Sequence, residues 1–171
     1  IRDHCVTGVQ TCALPILIGV ANAGATPRVL LAGHCDQIGL IVQYVDVDGY
    51  LSVQPIGGWD PMQLVGSRVT VWGAGGPVPG VIARKPIHLL SDEERKVVPK
   101  MKDLWIDIGA ADRADAETVV RVGDCATVEL RVWPLRRDLV AAPAMDDKVG
   151  LWVVLEAFRR AVAAEIGRAH V

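Results

Sequence analysis

The chain has 171 residues, 51% of them hydrophobic and 22% charged, which predicts one domain or one and a half with a sizeable buried core. Its 18 basic and 20 acidic side chains leave a net charge of −2, with no basic stripe interleaved with aromatics, so a nucleic-acid-binding class is excluded. No apolar run reaches the roughly 18 residues that a membrane helix needs, and no membrane partner is expected.

The two ends stand apart. Ile1–Ile16 (IRDHCVTGVQTCALPI) follows no helical or strand period and reads as a translated sequencing-library adapter, and residues 166–171 (IGRAHV) read as its complement. Segments 1–16 and 166–171 are therefore expected to be non-native and to pack poorly, which removes His4, His170, Cys5 and Cys12 as candidate ligands. Leu14–Val20 is apolar but short, and no small-residue cleavage pattern follows it, so a signal peptide is not assigned. Cys5, Cys12, Cys35 and Cys125 are scattered without zinc-ligand spacing, as in a reduced, cytoplasmic protein.

Between the ends, Arg28–Ala32 (RVLLA) is a short apolar run that predicts a buried strand, delivering Gly33-His34-Cys35-Asp36 at its C-terminal end. Ile38–Tyr44 is β-branched and predicts the next strand. Asp48-Gly49 is a turn dipeptide between VQYVDV and YLSVQPI, and predicts a hairpin. Arg68–Trp72 alternates like a strand, Gly73–Gly80 is Gly/Pro-rich and reads as a loop, and Val81–Ala83 resumes extended structure. Leu104–Ile108 and Cys125–Val132 predict two more strands, with a short helix or turn over Asp112–Thr118. After Pro143, Val149, Trp152, Val153, Leu155, Ala157 and Phe158 form a helical stripe. This order suggests a small β-domain inserted into an α/β domain.

Two motifs could carry chemistry. In His34-Cys35-Asp36 the two polar side chains are two apart, so on an extended segment they share a face. The imidazole could bind a metal and the carboxylate could orient it, although such a triplet taken alone is more often incidental. In Ala144–Gly150 (AMDDKVG) adjacent acids open an apolar helix. One of them could cap the helix, or a carboxylate there could bridge two cations. On residue types alone the cap reading is favoured. His88 reads as structural, and Asp92–Lys96 (DEERK) as a solvated charge run.

A collinear set of landmarks changes that balance. It comprises HCDQIG (His34–Gly39), GGW (Gly57–Trp59), LVGSRV (Leu64–Val69), PGVIARKPIHLL (Pro79–Leu90), WIDIGA (Trp105–Ala110), the Val-Gly-Asp turn at Val122–Asp124, and DDKVG (Asp146–Gly150). Together they cover nearly all of residues 17–165 and resemble the M42 metallo-aminopeptidases (glutamyl and tetrahedral aminopeptidases); one departure is Gln37, where that family usually has Glu.

The resemblance implies an α/β fold in which a partial two-metal exopeptidase α/β domain (17–36 and 134–165) is interrupted by an inserted β-rich, barrel-like oligomerisation domain (37–133). It implies two divalent metal ions, zinc or cobalt with manganese as a further option. His34 would ligate one ion, Asp146 would bridge both, and Asp36 would be the catalytic carboxylate supporting the site. Asp147 would follow Asp146 through a cis peptide bond. A Glu-Glu pair, a further acidic ligand and a last His belong C-terminal to this stretch, and only Glu165 follows Glu156. The chain by itself is therefore expected to be an inactive fragment of an aminopeptidase acting on peptide N-termini, assembled in the full-length protein as a homo-oligomer between dimer and dodecamer. The alternatives are a related M20- or M28-type metallohydrolase, or a non-catalytic β-domain assembly module.

Overall fold

The structure, a computed structural model, describes residues 6–10 and 17–166, the first of these stretches by its backbone alone. Its strands are β1 (Val6–Gln10), β2 (Ile18–Ala21), β3 (Gly39–Val45), β4 (Leu51–Ile56), β5 (Arg68–Gly73), β6 (Gly76–Arg84), β7 (Leu104–Asp107), β8 (Cys125–Val128), β9 (Trp133–Pro134) and β10 (Val140–Ala141). Its helices are α1 (Pro61–Leu64), α2 (Arg113–Ala116) and α3 (Met145–Ala163). Two compact units result. One is continuous, Asp36–Met145, and the other joins residues 1–35 to residues 146–171.

The continuous unit is a closed antiparallel barrel with strand order β3-β4-β7-β6-β5-β8, β8 returning to pair with β3. Period-2 alternation supplies its interior: Leu51 and Val53 on β4, Val69 and Val71 on β5, Leu104 and Ile106 on β7, and Ala126 on β8 are all buried. Strand β3 breaks strict alternation. Its register shifts between Val42 and Tyr44, and that bulge lets Val42 and Val45, three apart, both face inward. Leu64 of α1 and Ala116 of α2 join the same core. Each of these short helices is started by a side chain: Asp60 accepts from the Met62 amide at 2.9 Å, and Asp112 from the Asp115 amide at 2.9 Å. In the Gly-Gly-Trp turn Gly57 adopts φ +83°, and a Cβ there would stand 2.4 Å from Ile38 Cγ2. The Trp59 indole N–H donates to the Gly39 carbonyl at 2.8 Å, tying this turn to β3.

Two expectations are corrected in this unit. Gly73–Gly80 is not a loop, because β6 begins at Gly76 and pairs with β5 from Gly73↔Gly76 through Arg68↔Val81. Its prolines, Pro77 and Pro79, have the same parity, so the missing donors fall on one side of the strand, and β7 pairs only with Val81–Arg84. Strand β8 ends at Val128 instead of continuing to Val132.

In the other unit, Arg28–Ala32 is not a buried strand. It is irregular, with Val29, Leu30 and Leu31 exposed by 81%, 91% and 51%. An apolar run becomes a buried strand only when neighbours satisfy its backbone and layers cover its faces. Among the described residues no strand pairs with it. The expectation for the end segments falls largely on residues 1–5, 11–16 and 167–171, outside the described residues. The exceptions are Ile166, which is exposed, and Val6–Gln10, which pairs antiparallel with Ile18–Ala21, its Val and Thr content suiting a strand.

Candidate metal centre

Helix α3 does not start as a regular helix. Asp146 (φ −88°, ψ 109°) and Asp147 (φ −121°, ψ 37°) are non-helical, and the peptide bond between them is cis. The Asp147 carboxylate turns back and accepts a hydrogen bond from the Gly150 amide at 3.0 Å, three residues on, which is the geometry of an N-cap. Asp147 thus satisfies an otherwise orphaned donor of the first turn. Asp146, one residue earlier, is released from that duty, and its side chain is 97% exposed.

The irregular segment that follows Arg28–Ala32 carries His34 to the same helix start. His34 Nε2 lies 3.4 Å from Asp146 Oδ1, across 112 positions of sequence (146 − 34). A surface pair this exposed adds little stability, because water and salt screen it. The separation has a chemical meaning instead: two donors bonded at roughly 2.0–2.2 Å to one tetrahedral cation stand about 3.3–3.6 Å apart. An imidazole nitrogen and a carboxylate oxygen so placed fit a divalent transition metal. They form a pair and not a full cage, since among the described residues no group of three or more His, Cys, Asp or Glu side chains gathers.

The remaining predicted residues fall elsewhere. Asp36 is exposed at the first position of the barrel unit. His88 sits on the barrel unit in the short turn Ile87–Leu89. Cys35 and Cys125 are free and exposed. Sequence reasoning left Gly33 and Gly150 without a role, although Gly33 directly precedes HCDQIG and Gly150 ends DDKVG. Their signal is close approach, to helix backbone at Gly33 and to the Asp147 carboxylate at Gly150, which a sequence does not display.

The M42 glutamyl aminopeptidase family matches residues 16–171, and the chain belongs to that family. A lysyl aminopeptidase of Pyrococcus furiosus is 33% identical over 141 residues, covering 80% of this chain and 40% of that protein. Among solved structures, the TET aminopeptidase of the marine sediment archaeon Thaumarchaeota archaeon SCGC AB-539-E09 superposes with a TM-score of 0.79 at 38% identity, covering 85% of this chain and 42% of that one. A TET1 peptidase of Pyrococcus horikoshii, described as assembling into a tetrahedron or a large octahedral shell, superposes with a TM-score of 0.70 at 34% identity, covering 78% and 40%. The chain thus spans less than half the length of each of these relatives.

Proposed function

We propose that the chain carries part of the dinuclear centre of an aminopeptidase that removes N-terminal residues from peptides. The observation that supports this reading is the 3.4 Å approach of His34 Nε2 to Asp146 Oδ1 within a chain of the M42 family. Two divalent ions, zinc or cobalt with manganese as a further option, suit the nitrogen and oxygen donors. His34 would hold one ion, and Asp146, with two exposed oxygens, would bridge both. When bound, such ions acidify a water molecule and polarise the scissile carbonyl.

The chain's other residues position these donors. Asp147 fixes the start of α3 by capping it, so Asp146 is presented to His34 and not to the helix. Asp36 takes the part of the supporting catalytic carboxylate, two residues beyond His34. The barrel, predicted from sequence over 37–133, would be the region through which copies assemble as a homo-oligomer. The named assemblies of the Pyrococcus horikoshii relative support the homo-oligomer, and the assignment of its contacts to the barrel rests on the sequence resemblance. Among the described residues no helix is long and apolar enough to cross a membrane. A cytoplasmic location follows the reduced-cysteine reading of the sequence.

The test is a chimera in which residues 17–165 replace the matching stretch of the Pyrococcus furiosus lysyl aminopeptidase, assayed on N-terminal amino-acid amides with added zinc or cobalt. Metal-dependent turnover that Asp146→Ala lowers on the order of a hundred-fold or more is the expected result. Turnover that survives Asp146→Ala would contradict the ligand assignment.

A further inference from the structure

We infer that Gly33 and Gly150 are positioning residues: together they let the segment bearing His34 lie directly on the first turn of α3, and a side chain at either position would part His34 from Asp146. The inference bears on the proposed metal pair and so rests on that reading for its functional meaning; its geometry stands independently. A Cβ on Gly33 would stand 2.8 Å from both Cα and N of Leu151 and 3.1 Å from the Gly150 carbonyl carbon. These are backbone atoms of a helix, which cannot rotate away as a side-chain tip can, so the segment itself would have to lift. Gly33 is the immediate neighbour of His34, and a displacement of its backbone moves the imidazole with it.

Gly150 acts from the other side of the same contact. A Cβ there would fall 2.0 Å from Asp147 Oδ1 and 2.6 Å from Asp147 Cγ. The carboxylate would be driven off the Gly150 amide that it now accepts from at 3.0 Å, and the cap that sets the backbone beside Asp146 would be lost. The two glycines have different obstacles, helix backbone for one and a capping carboxylate for the other, and this difference makes them separable by experiment. Gly24, in the same unit, meets nothing within 4 Å and serves as the control.

The experiment is NMR of the whole chain. The parent should show nuclear Overhauser contacts from the Gly33 Hα protons to the Leu151 amide and from the His34 ring to the Asp146 Hβ protons. Gly33→Ala should abolish the His34–Asp146 contact while the barrel amide resonances stay in place, and Gly24→Ala should change neither. Zinc, titrated and followed at the His34 ring, should bind Gly33→Ala at least about ten-fold more weakly than the parent. Gly150→Ala should weaken zinc similarly, Asp147→Ala alone should do the same because it removes the same cap, and the double variant should be no weaker than either single one; additive losses in the double variant would overturn the role of Gly150, and this set decides the question if Gly33→Ala melts α3. Retention of the His34–Asp146 contact and of zinc affinity within about two-fold in Gly33→Ala would overturn the inference. A parent that shows both contacts but no zinc response at His34 would overturn the metal reading and leave the positioning role standing.

Discussion

Asp146 and Asp147 are adjacent and chemically identical, yet the backbone gives them different work. Asp147 accepts from the Gly150 amide, while Asp146 is almost wholly exposed beside His34. Residue types alone favoured the cap over a metal ligand, and of the two acids Asp147 takes the cap while Asp146 is turned away from the helix. That division was hidden in the sequence because it depends on φ and ψ at two positions and not on composition. It has a measurable consequence. Asp147→Ala should destabilise the unit containing α3 by about 1 kcal/mol, the usual cost of a lost cap, read as a lower thermal midpoint of the helical circular dichroism signal. An unchanged midpoint would show that the carboxylate has no capping role.

At the scale of elements, the reading was best where side-chain period and burial agree. Strand β5 has one face in the barrel core and its alternation announced it, while the Asp48-Gly49 dipeptide announced the hairpin of β3 and β4. It failed where the partner decides the outcome. Strand β6 looked like a loop because of Pro77 and Pro79, which β5 tolerates as a one-sided neighbour. Arg28–Ala32 looked like a buried strand because it is apolar, and it has neither strand partner nor cover among the described residues. Helix α3 was expected from its stripe, and that stripe stands exposed, Val149 by 48%, Trp152 by 65% and Val153 by 52%. Such a helix depends more than most on its own side-chain pairs.

The main one is Glu156, clamped by Arg159 Nε at 2.7 Å and by Arg160 Nε at 2.8 Å. The hydrogen bond from Arg159, then that from Arg160, lowers the Glu156 pKa from 4.5 to about 2. A depressed carboxylate pKa contributes stability above its unfolded value and loses it as pH falls through the folded one. The helical signal should therefore hold from neutral pH down to about 4.5 and decline between about 4.5 and about 2, and Glu156→Gln should remove that acid-dependent step. The same decline in Glu156→Gln would assign it to other groups.

For the whole molecule, the barrel and the His34–Asp146 pair were legible to different degrees. The barrel's interior residues lie between Leu40 and Ala126, a compact stretch whose hydrophobic pattern is nearly self-contained. The pair joins residues 112 positions apart (146 − 34), and no local pattern links them; only the collinear landmarks brought His34 and Asp146 into one site before their 3.4 Å contact was seen. The chain spans 40% of its Pyrococcus furiosus relative. The measurement that bears most directly on the account is a zinc titration of the chain itself, followed at the ring resonances of His34 and His88. The account predicts a saturable shift at His34, none at His88, and an affinity weakened at least about ten-fold by Asp146→Asn. A His34 ring that ignores zinc, or that responds equally in Asp146→Asn, would contradict it.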